Sequence, residues 1–152
     1  MNLLKKDNSL YGQALKLATS AKPKLTQAAA LLEMSHKQGD ARATYALATW
    51  HLYGHAGYVK NLKVAFELLS VAANADIAES HFDLAVCYET GEGTKKNEKL
   101  AYRHYVAAAL AEDKQALVEV GRCHYFGIGT KKAVELAEIW FRRAEKVGAE
   151  VI

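Results

Sequence analysis

Proline is almost missing from this chain: Pro23 is the single one among 152 residues. The apolar share leans on alanine more than on valine and isoleucine, and both features favour helices over a sheet. Long apolar runs are missing too. The longest, at 28–32 and 106–111, fall far short of the roughly 18 residues a membrane span needs, so no membrane insertion is expected. Charge of one sign is also lacking. Twenty basic and 17 acidic side chains leave a formal net charge of +3, too small and too interspersed for a nucleic-acid surface. Cysteine is scarce: Cys87 and Cys123 stand 36 residues apart, with no Cys-x-x-Cys spacing, and read as reduced, buried thiols. Residues 1–6 place two leucines before two lysines and lack the apolar stretch of a secretory signal, so a cytoplasmic location is expected.

What the chain does have is 51% apolar residues, enough for one compact core or for an equivalent run of stacked units. The arrangement of those residues favours the second. The hexapeptide GEGTKK at 91–96 returns as GIGTKK at 127–132, and Cys87 falls on Cys123 at the same offset of 36. The match continues as Leu100 and Ala101 meet Leu136 and Ala137, Tyr105 meets Phe141, and Ala108 meets Ala144. Self-similarity of this length means a repeated supersecondary unit. An earlier copy puts Leu47, Ala48 and Gly54 at 37 before Leu84, Ala85 and Gly91, while Ala65 and Leu69 stand 36 before Ala101 and Tyr105. The changed offset places one extra residue in the loop between Gly54 and Ala65, where insertions are tolerated.

Within each unit the apolar spacing is helical. Ala43, Leu47, Ala48 and His51 form one stripe; Ala65, Leu68, Leu69 and Ala72 form another. The spacing predicts helices over about 8–20, 24–37, 41–53, 61–74, 78–90, 97–111, 114–126 and 133–147. Small residues at Ala48, Ala85 and Gly121, and at Ala72, Ala108 and Ala144, allow close helix approach. Before the full repeats, Ala28, Leu31 and Leu32 take the places of Ala65, Leu68 and Leu69, so residues 7–38 read as a degenerate cap whose outer side has no neighbour.

The pattern AxYxLAxxxxxG at 43–54, followed by KVAFELLSVAANAD at 63–76, resembles the Sel1-like repeat, a relative of the tetratricopeptide repeat. LAVCYETGEGTKKNEKLAYRHYVAAA at 84–109 resembles it more sharply. Its Leu84-Ala85, Tyr88, Gly91-x-Gly93 and Ala101, Tyr105 and Ala108 fall where that family's motif has them. The resemblance implies an all-α fold: a right-handed α/α superhelical solenoid of about four helix pairs. One domain over 1–152 is expected, with the cap at 7–38 and repeats at 41–76, 77–113 and 114–148. The family's usual tyrosine is replaced by His51 in the first full repeat and by His124 in the last, a matter of local packing.

Candidate chemistry is thin. A phosphate loop needs its glycines between a strand and a helix, with lysine ahead of Ser or Thr; here Thr precedes the lysines, a helix precedes the glycines, and the element occurs twice. The glycines therefore read as left-handed stops to the first helix of each pair. His51 and His124 lie two repeat steps apart and cannot share an ion, and His51 with His55 lacks a third ligand, so no metal is expected. Cys87 corresponds to Trp50, a column that is a packing position or part of an inner surface, and neither cysteine has a sequence-visible base. No catalytic residue and no cofactor are expected.

A partner remains. In stacked helix pairs the first helix generally lines the concave side. On the helix at 41–53, Arg42, Ala46, Thr49 and Tyr53 point away from the packing stripe; the equivalent sets are Glu79, Asp83, Val86 and Thr90, then Gln115, Glu119, Arg122 and Phe126. These columns vary while the packing columns do not. Tyr53 and Phe126, with Trp50 nearby, are the aromatic anchors expected of a binding face. The reading is a non-enzymatic adaptor for a protein or peptide, which the resemblance places among bacterial signalling, host-interaction or assembly proteins. Alternatives are an immunity protein that neutralises a cognate bacterial toxin, a small-ligand-binding or hydrolytic member of the family, and self-association through the last helix and the apolar tail Val151-Ile152.

Overall fold

A computed structural model of the protein describes residues 7–151; the leucine–lysine start at 1–6 and the terminal Ile152 lie outside them. Among the described residues there are eight α-helices and no strand: α1 (Leu10–Ala18), α2 (Leu25–Lys37), α3 (Ala41–Tyr53), α4 (Leu62–Asn74), α5 (Ala78–Thr90), α6 (Glu98–Leu110), α7 (Lys114–Phe126) and α8 (Val134–Lys146). No helix among them is long and apolar enough to cross a membrane.

The helix boundaries have local causes. α3, α5 and α7 each stop at a glycine in the left-handed region, Gly54, Gly91 and Gly127, whose amide donates back to the carbonyl of Trp50, Cys87 or Cys123. Asp40 and Asp113 cap the starts of α3 and α7 with side-chain oxygens, and Asn97 does the same for α6. α1 is shorter than its periodicity predicts. Ser9 caps it at one end, and at the other the hydroxyl of Thr19 turns back onto the Leu15 carbonyl.

A second bond recurs once per repeat. The residue just before each second helix donates its amide to a carbonyl in the last turn of the first: Asn61 to His51, Asn97 to Tyr88, and Ala133 to His124, at 2.9, 2.7 and 2.8 Å. Because the backbone oxygen makes this bond, the family tyrosine can become histidine in two repeats without loss of the turn. The loop at 54–61 is one residue longer than those at 91–97 and 127–133, and absorbs the extra residue through Ala56 and Gly57, both at positive φ.

The chain falls into two compact units, 1–72 and 73–152. In the first, α2 packs against both α1 and α3, around Ala14, Leu32, Ala43 and Leu47, with Leu31, Trp50, Tyr58 and Leu68 against them. Each fully buried leucine contributes about 1.5–3 kcal/mol. Two polar contacts tie the helices: His36 Nδ1 meets the buried hydroxyl of Thr44 at 2.7 Å, and Tyr58 donates to Glu33 at 2.8 Å. Burial and then that carboxylate push the Tyr58 phenol up to about 12.

In the second unit α5 packs on α6, α6 on α7, and α7 on α8. The core is built mainly of small side chains, Ala85, Ala101, Ala108, Ala116 and Ala144, into which Tyr105, Val120 and Cys123 project. Alanine at these positions is what lets the helix backbones approach closely, and the larger groups fill the gaps between layers.

Candidate partner-binding face

The positions singled out on the first helix of each repeat meet different fates. In the first unit, α1 lies over part of the set. Arg42 bonds Asp7 and Asp40, at 3.0 and 2.7 Å, and its guanidinium sits 4.5 Å above the Tyr11 ring. Ala46 and Trp50 line a cleft of about 280 Å³ together with Tyr11 and Leu15 of α1. Trp50 is half-buried, ringed by His55 and Tyr58, so its area is largely committed to packing. Thr49 bonds its own helix at the Ala46 carbonyl. Tyr53 stands well out, 73% exposed.

On α5, Glu79 is exposed and Asp83 half-buried, while Val86 packs against the unit's core. Thr90 returns its hydroxyl to the Val86 carbonyl at 2.8 Å.

On α7 the set converges. Gln115, Glu119, Arg122 and Phe126 line one cleft of about 550 Å³, completed by Val118, Tyr125, Phe141 of α8 and Glu150. Phe126 is 64% exposed and Tyr125 43%, with the two rings edge to face at 4.9 Å. In the same cleft Arg122 donates from Nε to Glu119 and from Nη2 to Glu89, both at 2.7 Å, and the hydroxyl of Tyr105 donates to the same Glu89 oxygen at 2.9 Å. Burial would raise the Glu89 carboxyl, but the bonds from Arg122 and Tyr105 outweigh it and hold the group below its ordinary range. Tyr125, Phe141 and Glu150 were not legible as cleft residues, nor was Glu89 as the partner of Arg122. The adjacent aromatics at the end of α7 were the available signal for Tyr125, whereas Phe141 occupies a packing column.

The GxGTKK elements turn out to be contacts within the fold. Gly129, at φ +65°, rests on the backbone carbonyl of Glu98 at the start of α6, where a Cβ would collide with it. Lys96 pairs with Glu98 at 3.5 Å, and both lysines of the element in the last loop, Lys131 and Lys132, are exposed. His51 meets Tyr58 edge to face, and His124 meets the Tyr102 hydroxyl at 3.1 Å. Neither has its Nδ1 hydrogen-bonded. A histidine pair escaped the sequence reading: His81 and His104 touch at 3.0 Å through their Nδ1 atoms, with Tyr88 stacked on His104. Among the described residues no group of three or more His, Cys, Asp or Glu side chains is placed to hold a metal ion. Burial pushes the Cys87 thiol up to about 11 and that of Cys123 up to about 12, far from the thiolate character a nucleophile needs.

Three stretches, 41–77, 78–113 and 114–148, match the model of the Sel1 repeat, and together they cover most of the chain. The chain belongs to the Sel1 repeat family. Solved structures agree on the fold. A Sel1 repeat protein from Oxalobacter formigenes is 30% identical at a TM-score of 0.81, over 93% of this chain. A protective antigen of uropathogenic Escherichia coli, displaying an SLR fold, is 20% identical at a TM-score of 0.86, over 91% of this chain. Cysteine-rich protein B of Helicobacter pylori is 22% identical at a TM-score of 0.64; 88% of this chain and 95% of that one are covered. The chain spans 30% of the length of the Escherichia coli protein and 56% of the Oxalobacter one. No curated protein matches the sequence. The fold is thus an all-α solenoid of helix pairs.

Proposed function

We propose that this chain is a non-enzymatic adaptor that holds a protein or peptide partner on the first-helix face of its repeats, with the α7 cleft as the principal contact and Tyr53 as a separate aromatic anchor. Sel1 repeats typically mediate contacts between proteins, and the family is generally non-catalytic. The observation that carries the reading is the convergence on α7. Four positions chosen because their column varies between repeats, Gln115, Glu119, Arg122 and Phe126, open onto one cleft whose Arg122 is bonded to Glu119 and Glu89 and whose lining includes the exposed rings of Tyr125 and Phe126. Rigid aromatic area around a preorganised charge is what interface hot spots use. Two free buried thiols are consistent with a cytoplasmic setting.

The test is an affinity capture from source cells with the native chain and with a Tyr53→Ala, Phe126→Ala double variant. Arg122 is left intact, because its removal would strip the counter-ion from Glu89 and Glu119 and confuse binding with folding. A protein retained by the native chain and lost with the double variant supports the adaptor; identical captures sink it.

A further inference from the structure

Within the α7 cleft the charges do not balance. Arg122 faces two carboxylates, Glu119 and Glu89, and both of its bonded nitrogens are committed to them. Glu150, which also lines the cleft, is exposed, and no hydrogen bond or ion pair holds it among the described residues. The imbalance extends along the face. Although the whole chain is formally +3, α5 and α7 carry Glu79, Asp83, Glu89 and Glu119 against Lys114 and Arg122. Lys114 opens onto a different cleft, beside Glu112 and Arg143. The cleft's own lining carries two carboxylates, Glu119 and Glu150, against one cation, Arg122, and most of the rest is aromatic: Tyr125, Phe126 and Phe141.

We propose that the cleft takes a peptide segment in which a lysine or arginine stands beside a bulky aliphatic or aromatic side chain. This rests on the adaptor reading above and names the chemistry of its partner. The apolar side chain enters between Phe126 and Phe141, where it removes exposed ring surface from water. The cation reaches Glu119 and Glu150 and can lie against the face of Tyr125, a geometry in which the ring quadrupole adds to the ion pairing. An acidic segment would meet the unpaired Glu150 and a Glu119 that shares its one cation with Glu89, so the same charges that attract one class reject the other.

The test is selection of random dodecapeptides displayed on phage against the full chain. Enriched sequences are then synthesised with a fluorescent label and titrated by anisotropy against the native chain, Phe126→Ala and Glu150→Lys. The expected result is enrichment of Lys or Arg next to Leu, Ile, Phe or Trp. Affinity should fall about tenfold or more in Phe126→Ala and several-fold in Glu150→Lys, and should weaken as salt is raised. Enriched acidic or uncharged peptides that still lose affinity in Phe126→Ala would overturn the basic chemistry and leave the adaptor standing. Selection that yields no peptide sensitive to Phe126→Ala overturns both. Peptides displaced by unlabelled protein that itself dimerises would assign the cleft to a second copy and overturn the proposal.

Discussion

The α-carbon of Gly121 faces the ring of Phe141 so closely that a methyl group on it would stand 2.5 Å from Cε1 and 2.6 Å from Cδ1. The equivalent pairs in the preceding repeats are Ala85 with Tyr105 and Ala48 with Leu69. Alanine is accommodated there, and Gly121 is therefore matched to the way this particular ring is seated. Gly121→Ala should cost about 1–2 kcal/mol on urea denaturation, because overpacking outweighs the roughly 1 kcal/mol that alanine gains over glycine in a helix. Adding Phe141→Leu, which copies the Ala48 and Leu69 pair, should restore most of it. If the double variant is no more stable than the single one, the two sites are uncoupled and the packing account is wrong.

Gly129 makes a sharper demand than the other loop glycines. A Cβ there would strike the Glu98 carbonyl and approach Tyr102 Cβ at 2.9 Å, whereas one at Gly39, also at positive φ, would find nothing within 4 Å. Gly39→Ala should lose about 1 kcal/mol, the conformational cost alone, and Gly129→Ala more than about 2 kcal/mol. Equal losses in thermal or chemical unfolding would mean that the last loop does not rest on α6.

The periodicity of the chain made most of this architecture legible. α3, α5 and α7 run over the predicted 41–53, 78–90 and 114–126, because each is bounded by a local signal, a left-handed glycine at the end and, in α3 and α7, an aspartate cap at the start. The candidate face was legible in part. Positions 115, 119, 122 and 126 share a cleft because one helix carries them at helical spacing. The α3 set did not behave alike: Arg42 and Trp50 are engaged by α1, whose placement depends on how an atypical first pair docks. His81 and His104 were invisible for a related reason. They belong to different helices, and the neighbouring repeats have Thr44 with Leu68 and Leu117 with Trp140 at those positions.

The ion network under the cleft should make part of the stability depend on acid pH. Glu89 is held below its ordinary carboxylate range once the bonds from Arg122 and Tyr105 have offset burial. A depressed folded-state value means stability that is present above the unfolded value, about 4.3, and lost as pH falls through the folded one. Arg122→Met removes the partner and leaves Glu89, with 22% of its side chain accessible, without its counter-ion. At neutral pH the variant should be weaker by about 1–3 kcal/mol. The gap between native and variant should narrow as pH drops from about 5 towards about 3; a gap independent of pH would mean that Arg122 acts through packing alone.

The histidine pair works in a higher window. Burial first, then the charge of His81, holds His104 below its ordinary value. His81 in turn has Asp76 at 3.7 Å from Nε2, on a nearly fully exposed carboxylate. For a histidine so depressed, stability is full above the unfolded value near 6.5 and is lost as pH falls from there through the folded value. His104→Leu, which installs the residue of the equivalent Leu68, should flatten the melting temperature between about pH 7 and about pH 5, whereas the native chain should soften over that range. A native profile already flat there would show that His104 accepts its proton without cost.

Cys87 and Cys123 give the most direct check on whether this scaffold carries a nucleophile. Both are buried, at 3% and 0% exposure, and burial is the leading reason that their thiols are pushed up to about 11 and about 12. The surrounding charge does not rescue them: Asp83 and Glu92 raise Cys87 further, and the lowering effect of Arg122 on Cys123 is opposed by Glu89, Glu119 and Glu98. At about pH 8 the thiolate fraction of each is therefore well under one per cent. A disulfide-exchange reagent such as DTNB should release almost no colour from the native protein at that pH and two equivalents once denaturant is added. Rapid native reaction at either position would place a reactive thiolate on this scaffold and reopen the enzymatic reading.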